Sequence, residues 1–309
     1  MFSCCCQSNN QVNNTTDSIE EQNNKVITLP PQNIQNIQNI KNIQNIKKIK
    51  KELFKTKKNN YIGYGITSSI FKIKIDDMYV SCKVIKDGWV KHAENEIYTL
   101  KKITKLNTDF FGKFICNFTL NLKPVICYEY INGTDLFTHI SNEDTFLGNE
   151  KKTLEIIKNI LLGLERLIEI NLVHLDIKPE NIIIQQIDPI KIKIIDLAFC
   201  YNYERKIEMV LGTIGYMAPE IIFHKIYHNT DIWSIGIIIY LLYSNTFVFG
   251  CEELSYYYNI TCKSRKNILI EKNIVGCSDN LKNIIIKCLI YNNNCRISAN
   301  SLIKLINNI

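Results

Sequence analysis

The pattern of apolar and polar positions changes at about residue 60. From Tyr61 onward it predicts strands, the clearest of which is the run from Met78 to Ile85. A helix around Glu96 to Leu100 follows, and then an apolar strand that begins at Val125 and ends in a short link containing Gly133. This part of the pattern predicts a lobe built mainly from a sheet.

The second half of the chain has longer apolar segments. One predicted helix runs from Leu154 to Ile170, and two short apolar strands follow at Ile182 to Ile184 and Ile192 to Ile195. The longest apolar run, Ile235 to Tyr243, contains a glycine and is far too short to span a bilayer, so it predicts a buried helix. A strand-rich beginning and a helix-rich remainder predict an α+β fold, in which a small sheet lobe packs on a larger helical lobe.

The first 56 residues have a different composition. They are rich in Asn and Gln and poor in aromatic residues, so they are predicted to form a disordered, low-complexity tail. An isoleucine recurs at every third position from Ile34 to Ile49, and a period of three drifts around an α-helix without making a clean apolar stripe. We therefore place the folded domain at residues 57–309, with a small lobe at 57–130 and a large lobe at 131–309.

The net charge of the 309-residue chain is +7, and its distribution decides what it implies. Eight lysines and one glutamate lie between Lys41 and Lys58, so this segment carries the excess and the rest of the chain is close to neutral. The charge therefore predicts no broad nucleic-acid-binding face.

The same segment leaves two interpretations of the tail open. In the first, the adjacent Cys4, Cys5 and Cys6 are S-acylated and the Lys41–Lys58 segment contacts an anionic membrane. In the second, which we favour, the tail is unmodified.

The cysteines indicate the compartment. The chain has 12 of them without a C-x-x-C pair, which favours neither a zinc ribbon nor a redox pair. No pattern typical of a signal peptide is present, so reduced thiols and a cytoplasmic location are predicted. The composition is also typical of A/T-rich genomes of protists and large DNA viruses, and a viral protein would act in the cytoplasm of its host.

The most specific motif runs from Val173 to Asn181 and reads VHLDIKPEN. It resembles the catalytic loop of eukaryotic-type protein kinases, in which His-Arg-Asp is followed by an asparagine. The resemblance implies that Asp176 accepts the proton of the substrate hydroxyl, that Lys178 contacts the γ-phosphate of ATP and that Asn181 binds Mg²⁺. Lys178 and Thr213 also imply specificity for serine and threonine.

The nucleotide-binding motifs stand earlier in the chain, in the family's order. Lys83, at the end of Val80-Ser81-Cys82-Lys83, is implied to bind the α- and β-phosphates of ATP, with Glu96 as its partner and Glu94 as the fallback. The glycine-rich loop, which would cover the phosphates, consists of Ile62, Gly63, Tyr64, Gly65, Ile66, Thr67, Ser68, Ser69 and Ile70.

The segment after Val125 resembles the family's hinge between lobes. Backbone groups of Glu129 to Ile131 are implied to hold adenine, and Asp135 is implied to reach the ribose. Tyr128 falls at the gatekeeper position, where a tyrosine is expected to close the pocket behind adenine.

Three further motifs follow the catalytic loop. Asp196-Leu197-Ala198 stands where the family has Asp-Phe-Gly, so Asp196 is implied to bind Mg²⁺. Gly212 to Glu220 resembles the end of the activation segment, and Asp231 opens the long apolar helix. Arg296 falls where the family places the arginine that pairs with Glu220.

Leu197 replaces a phenylalanine conservatively, and three other residues depart from the family's pattern: Ser68 in place of the third glycine, Leu175 in place of the catalytic-loop arginine and Ala198 in place of the last glycine. That arginine normally meets a phosphorylated activation segment. Between Ala198 and Leu211 there is no Ser or Thr, only Tyr201 and Tyr203. We therefore expect activity without phosphorylation of this segment.

The resemblance implies a serine/threonine protein kinase that uses ATP and Mg²⁺ and acts on protein substrates. The alternative is a pseudokinase scaffold that binds nucleotide or protein without transfer, and the three departures support it. Against it, the residues that carry catalysis are all present: Lys83, Glu96, Asp176, Asn181 and Asp196.

Overall fold

The structure, a computed structural model, describes residues 43–55, 61–142, 146, 148–261 and 277–309. The predictions for Cys4, Cys5 and Cys6 lie outside these residues, as does the isoleucine repeat before residue 43. Among the helices of the described ranges, none combines the length and the apolarity needed to cross a bilayer.

The small lobe contains two helices and five strands: α1 (Ile43–Lys55), β1 (Tyr61–Tyr64), β2 (Ser68–Ile75), β3 (Met78–Ile85), α2 (Val90–Lys105), β4 (Phe114–Leu120) and β5 (Lys123–Glu129). The strands form one antiparallel sheet in the order β1-β2-β3-β5-β4. Helix α2 packs on one face of this sheet through Ala93, Leu100 and Ile103, which lie in the same core as Ile85 and Ile126. That face is the one that meets the large lobe.

Helix α1 covers the opposite face of the sheet. Ile49 and Leu53 are 0% and 6% exposed, and they pack against a core that includes Val80, Cys82 and Val125. The prediction of a disordered tail to residue 56 is therefore wrong for residues 43–55. Within the helix the apolar side chains are spaced by three and then four residues, which keeps them on one face.

Two lysines of α1 face the small lobe. Lys48 forms an ion pair with Asp76, with 3.0 Å between Nζ and Oδ1. Lys50 lies over the ring of Phe118, with its Nζ 4.9 Å from the ring centroid. Both contacts are partly exposed, so they orient the helix more than they stabilise it.

The large lobe begins after the hinge, and it contains these helices and strands: β6 (Thr134–Asp135), α3 (Leu136–Ser141), α4 (Glu150–Ile168), β7 (Leu172–Val173), β8 (Ile182–Ile187), β9 (Ile190–Ile194), β10 (Tyr201–Asn202), α5 (Thr230–Ser244), α6 (Glu253–Thr261), α7 (Asp279–Cys288) and α8 (Ala299–Asn307). Short 3₁₀ turns span Pro179–Asn181 and Pro219–Phe223. Two small antiparallel sheets, β10-β7 and β6-β8-β9, carry the segments that surround the cleft.

Helix α5 is the centre of the large lobe. Thirteen of its 15 residues are buried, so it is apolar on all sides, as a helix in the middle of a core must be. Trp233 stacks on Phe249 with 5.5 Å between ring centroids and donates a hydrogen bond to the Tyr256 hydroxyl at 3.3 Å. A buried helix of this kind gives the neighbouring loops a fixed support.

The predicted elements agree with the observed ones. Strand β3 spans the predicted residues, the helix predicted at Leu154 to Ile170 is α4, and the run Ile235 to Tyr243 lies inside α5. The two predicted apolar strands are β8 and β9. The expected α+β architecture, with a small sheet lobe and a larger helical lobe, is confirmed.

Candidate active site

The glycine-rich loop connects β1 and β2. Its turn is closed by a hydrogen bond from the Gly65 amide to the Ser68 carbonyl at 3.0 Å, and the Lys86 ammonium donates to the Gly65 carbonyl at 2.6 Å. A Cβ atom built on Gly65 would meet no atom within 4 Å. Packing does not require a glycine here, which fits a position where a ligand approaches the backbone closely.

Ser68, the departure from the glycine pattern, is the buried first residue of β2. The hydroxyl of Thr67 lies 3.5 Å from its Oγ. Ser68 pairs with Ile85 and Ile70 pairs with Lys83, so the small buried side chain of Ser68 lies on the same face of the sheet as Lys83.

Lys83 lies at the centre of the cleft and is 2% exposed. Its Nζ is 2.8 Å from Glu96 Oε2 and 2.7 Å from Asp196 Oδ1. The structure thus pairs Lys83 with Glu96, while Glu94 lies exposed on another side of α2. The short spacing between Lys83 and Glu96 is possible because Gly88, with φ 86°, turns the chain directly into the helix.

The charges in this cluster shift one another's pKa. Burial acts to lower the pKa of Lys83, but the carboxylates of Asp196 and Glu96 outweigh it and raise the pKa, so the ammonium stays charged. Burial raises the pKa of Glu96 to about 6, although Lys83 opposes this shift. Burial also acts to raise the pKa of Asp196, but the Lys83 charge and hydrogen bond lower it below its usual range.

The back of the cleft is formed by Tyr128 and the hinge. Burial raises the pKa of the Tyr128 phenol, and Lys83, Glu96 and Asp196 all lie close enough to act on it. Tyr128 pairs with Ser81, and Lys83 pairs with Ile126, so Tyr128 and Lys83 lie on the same face of the sheet. The gatekeeper role of Tyr128 stays a prediction.

The hinge is tied to the large lobe by a buried ion pair. Lys193 of β9 donates to Glu129 Oε1 at 2.8 Å and to the Phe111 carbonyl at 3.2 Å. These contacts join the last residue of β5, the loop before β4 and the strand that leads to Asp196. Ile131 follows the hinge strand, and its backbone contact with adenine stays a prediction.

Asp135 caps helix α3. Its Oδ1 accepts a hydrogen bond from the Thr138 amide and its Oδ2 from the Thr138 hydroxyl, both at 2.8 Å. Such a cap stabilises a helix start by about 1 kcal/mol. The predicted contact of Asp135 with a ribose stays a prediction.

The catalytic loop is hydrogen-bonded to the first turn of α5. The buried carboxylate of Asp231 accepts hydrogen bonds from the amides of His174, at 2.7 Å, and Leu175, at 2.8 Å. Leu175 has φ 65°, so this backbone conformation is strained for a leucine and is held by those bonds. The Gly212 backbone passes so close that a Cβ atom there would lie 2.6 Å from the Leu175 carbonyl oxygen.

Asp176 is surrounded by donors. Its Oδ1 accepts from the Thr213 hydroxyl at 2.5 Å, and its Oδ2 lies 3.1 Å from Lys178 Nζ. The Lys178 ammonium also donates to the Thr213 hydroxyl at 2.7 Å. The Asn181 amide group donates to the Asp176 carbonyl at 2.8 Å. The side chains of Lys178, Asn181 and Thr213, from the catalytic loop and the activation segment, therefore meet at the Asp176 carboxylate.

Asn181 and Asp196 provide oxygen atoms of the kind that Mg²⁺ prefers. The Asn181 amide nitrogen is used in the contact with Asp176, which leaves its carbonyl oxygen as the ligand atom. Asp196 uses Oδ1 for Lys83, and its Oδ2 accepts no hydrogen bond from the described residues. The donor set fits a hard cation with two protein ligands and a phosphate.

The end of the activation segment is anchored by an ion pair. The two terminal guanidinium nitrogens of Arg296 donate to Glu220, at 2.6 and 2.8 Å, and both side chains are buried. Thr230 donates a further hydrogen bond to Glu220 at 3.0 Å. This pair fixes the segment that carries Thr213 to the end of the large lobe.

Sequence reasoning missed several residues that the structure brings into the site. Asp231 was read only as the start of a helix, although an acidic residue opening an apolar helix is a signal of a buried acceptor. The direct contact of Thr213 with Asp176 and the contact of Lys193 with Glu129 had no local signal. The sequence also did not indicate the hydrogen bonds of Asn95, which lead to the activation segment.

Comparisons with known proteins agree with this geometry. The family model described as "Protein kinase domain" matches residues 56–305. The chain is 28% identical over 259 residues to human "Myosin light chain kinase family member 4", which covers 81% of the chain and 66% of that protein. It is 29% identical to mouse "Myosin light chain kinase 2, skeletal/cardiac muscle" over 71% of the chain and 36% of that protein. The chain thus spans between about a third and two thirds of the length of these curated relatives.

Proposed function

The chain belongs to the protein kinase family, and we propose that it transfers the γ-phosphate of ATP to serine and threonine hydroxyls of protein substrates. The observation that carries the proposal is the contact of Lys83 with both Glu96 and Asp196 in one buried cluster. This contact joins the sheet, helix α2 and the start of the activation segment. Residues proposed to bind nucleotide and metal, Lys83 and Asp196, therefore contact each other directly.

Each residue has a defined task in the proposed reaction. The carboxylate of Asp176 orients the substrate hydroxyl and takes its proton, while Lys178 stands beside it to balance charge on the γ-phosphate. Lys83 holds the α- and β-phosphates. Mg²⁺ bound by Asn181 and Asp196 would neutralise the phosphate oxygens.

The proposed specificity rests on Lys178 and Thr213. Both side chains contact each other and Asp176, so the surroundings of the carboxylate are polar. The similarity to myosin light chain kinases supports proteins, rather than small molecules, as substrates.

The pseudokinase alternative has weaker support. Leu175 is buried in the core, and Ser68 adds only a small buried side chain on the Lys83 face of the sheet. No departure removes a proton acceptor or a metal ligand.

For the tail, we propose that Cys4, Cys5 and Cys6 are unmodified and that the Lys41–Lys58 segment does not bind a membrane. Lys48 and Lys50 contact the small lobe, so they are less available to an anionic membrane than lysines of a free tail. A cytoplasmic location and the absence of nucleic acid among the partners stay predictions.

The Lys83→Met variant tests the proposed activity. Losing the ammonium removes the phosphate contact and leaves the buried Glu96 carboxylate beside the partly exposed one of Asp196, so transfer from labelled ATP to a generic basic protein should fall roughly 10²- to 10³-fold. Lys105→Met, on the exposed last turn of α2, is the matched control and should keep full activity. The proposal would be contradicted if Lys83→Met transfers phosphate at the full rate. It would also be contradicted if ATP with Mg²⁺ leaves the melting temperature of the wild-type protein unchanged.

The pKa of Glu96 predicts a dependence on pH. Because that pKa is raised to about 6 in the folded protein, Glu96 takes up a proton as pH falls through 6 and its ion pair with Lys83 is lost. We therefore expect kcat/KM to fall below pH 6. The effect on folding has the opposite sign: protonation is favoured in the folded state, so this group's contribution to stability is full below its unfolded pKa and is lost as pH rises through 6.

Two variants separate the causes of this pH profile. His92, four residues before Glu96 in α2, is a second titratable group to be tested. Burial and the Lys91 charge lower its pKa. His92→Gln should keep the loss of activity below pH 6, and Glu96→Gln should abolish the dependence at a lower overall rate. An unchanged acid limb in Glu96→Gln would show that another group is responsible.

A further inference from the structure

Asn95 connects helix α2 to the start of the activation segment. Its side-chain nitrogen donates hydrogen bonds to the Ala198 carbonyl at 3.1 Å and to the Cys200 carbonyl at 2.7 Å. Asn95 is adjacent to Glu96 in the helix, and Ala198 stands two residues after Asp196. One helical turn therefore reaches both the catalytic ion pair and the segment that follows it.

The chemistry of these contacts requires an amide. A primary amide has two N–H donors, and here both are directed at backbone carbonyls. The isosteric aspartate has no donor, and its charge would repel the same carbonyl oxygens. Cys200 is 0% exposed, so one of these carbonyls belongs to a buried residue that needs a partner.

Aromatic packing joins the same two segments. Phe199 lies between the two carbonyls that Asn95 binds, and its ring centroid is 5.5 Å from that of His92 and 6.5 Å from that of Trp89. Trp89 and His92 are themselves 4.8 Å apart. The first turns of α2 thus hold the segment by both hydrogen bonds and rings.

Two of the segment's remaining attachments are neutral, and a third, the ion pair of Lys91 Nζ with Glu208 Oε2 at 3.9 Å, joins two exposed side chains. Tyr201 pairs with Val173 in a two-stranded sheet, and the Tyr203 hydroxyl donates to Asn171 Oδ1 at 3.1 Å. Leu175, where the family has an arginine that meets a phosphate, is 3% exposed and lies in the core. The attachments of Tyr201 and Tyr203 use neither a phosphate nor a charged receptor for one.

We propose that Asn95 is a positioning residue that holds the activation segment in its active conformation without phosphorylation. The inference rests on the proposed kinase function. The helix orientation that brings Glu96 to Lys83 also brings Asn95 to Ala198 and Cys200. Losing the two hydrogen bonds therefore releases the segment and loosens Asp196, while Lys83, Glu96 and Asp176 remain in place.

The test combines kinetics with the reactivity of a buried thiol. Phosphatase-treated Asn95→Ala, made in bacteria, should lose roughly 10- to 30-fold in kcat/KM, as two neutral hydrogen bonds would predict. Alkylation of Cys200 by iodoacetamide, followed by peptide mass spectrometry, should speed up by a similar factor. Cys288, equally buried in α7, should react as slowly as in the wild type.

Further variants make each outcome decisive. Glu94→Ala, an exposed neighbour on the same helix, should leave both readouts unchanged. If Asn95→Ala unfolds the protein, Cys288 also becomes reactive, which reveals the unfolding. Asn95→Asp, which keeps the shape of the side chain without its donors, is then tested with the same two measurements. The proposal is overturned if both variants unfold, or if either variant shows normal kinetics and slow Cys200 labelling. It is also overturned if the wild type is inactive until Tyr201 or Tyr203 is phosphorylated. A wild type that never transfers phosphate, but whose Cys200 reactivity still depends on Asn95, overturns the kinase function instead.

Discussion

Asp176→Asn should lower kcat by about 10²- to 10⁴-fold, the range expected for the loss of a general base. The substitution keeps the shape of the side chain, but an amide cannot take a proton from the substrate hydroxyl. The contacts of Lys83 with Glu96 and Asp196 do not involve Asp176, so the KM for ATP should change little. Steady-state transfer to a basic protein at saturating ATP measures both values.

The same substitution on an exposed aspartate is the control for Asp176→Asn. Asp77 lies in the turn between β2 and β3, and Asp77→Asn should have wild-type kinetics. Retention of the full kcat by Asp176→Asn would show that another group takes the proton. An equal loss in Asp77→Asn would show that the assay reports on general damage.

Arg296→Ala should reduce the free energy of unfolding by about 3–5 kcal/mol, because it leaves the Glu220 carboxylate buried without its partner. The arginine also donates to the Ile290 carbonyl at 3.0 Å and lies over the Trp233 ring, with 5.4 Å from Cζ to the ring centroid. Such a loss is a large part of the stability of an ordinary domain. Chemical denaturation followed by fluorescence measures it.

A double variant distinguishes the ion pair from the packing around it. Glu220→Gln with Arg296→Met removes both charges and keeps most of the volume, so it should be clearly more stable than Arg296→Ala alone. If the double variant is no more stable than the single one, the lost packing of the arginine and not the unpaired carboxylate causes the effect. An unchanged denaturation midpoint in Arg296→Ala would contradict the predicted role of the pair.

The sequence predicted the site best where the chemistry is local. Asp176, Lys178 and Asn181 lie within one short loop, and the task of each restricts which residue types can stand there. The strands and helices of the folded lobes were also predictable, because long apolar runs of fixed period have few alternatives.

The parts that could not be predicted depend on contacts between distant residues. The hydrogen bonds from His174 to Asp231 and from Asn95 to Cys200 span 57 and 105 residues. No spacing rule brings such residues together before the fold is known. Helix α1 was missed for a related reason: its stripe is short, and its stability comes from the sheet face on which it packs.

Helix α1 also sets where a shortened chain can begin. The family model starts at residue 56, and a protein cut there keeps every residue of the catalytic cleft. It would, however, expose the side chains of Ile73, Val80 and Val125 to water on a face that α1 otherwise shields. An uncovered apolar surface on a sheet promotes self-association. Solubility therefore depends on residues 43–55, which lie outside the residues that the family model matches.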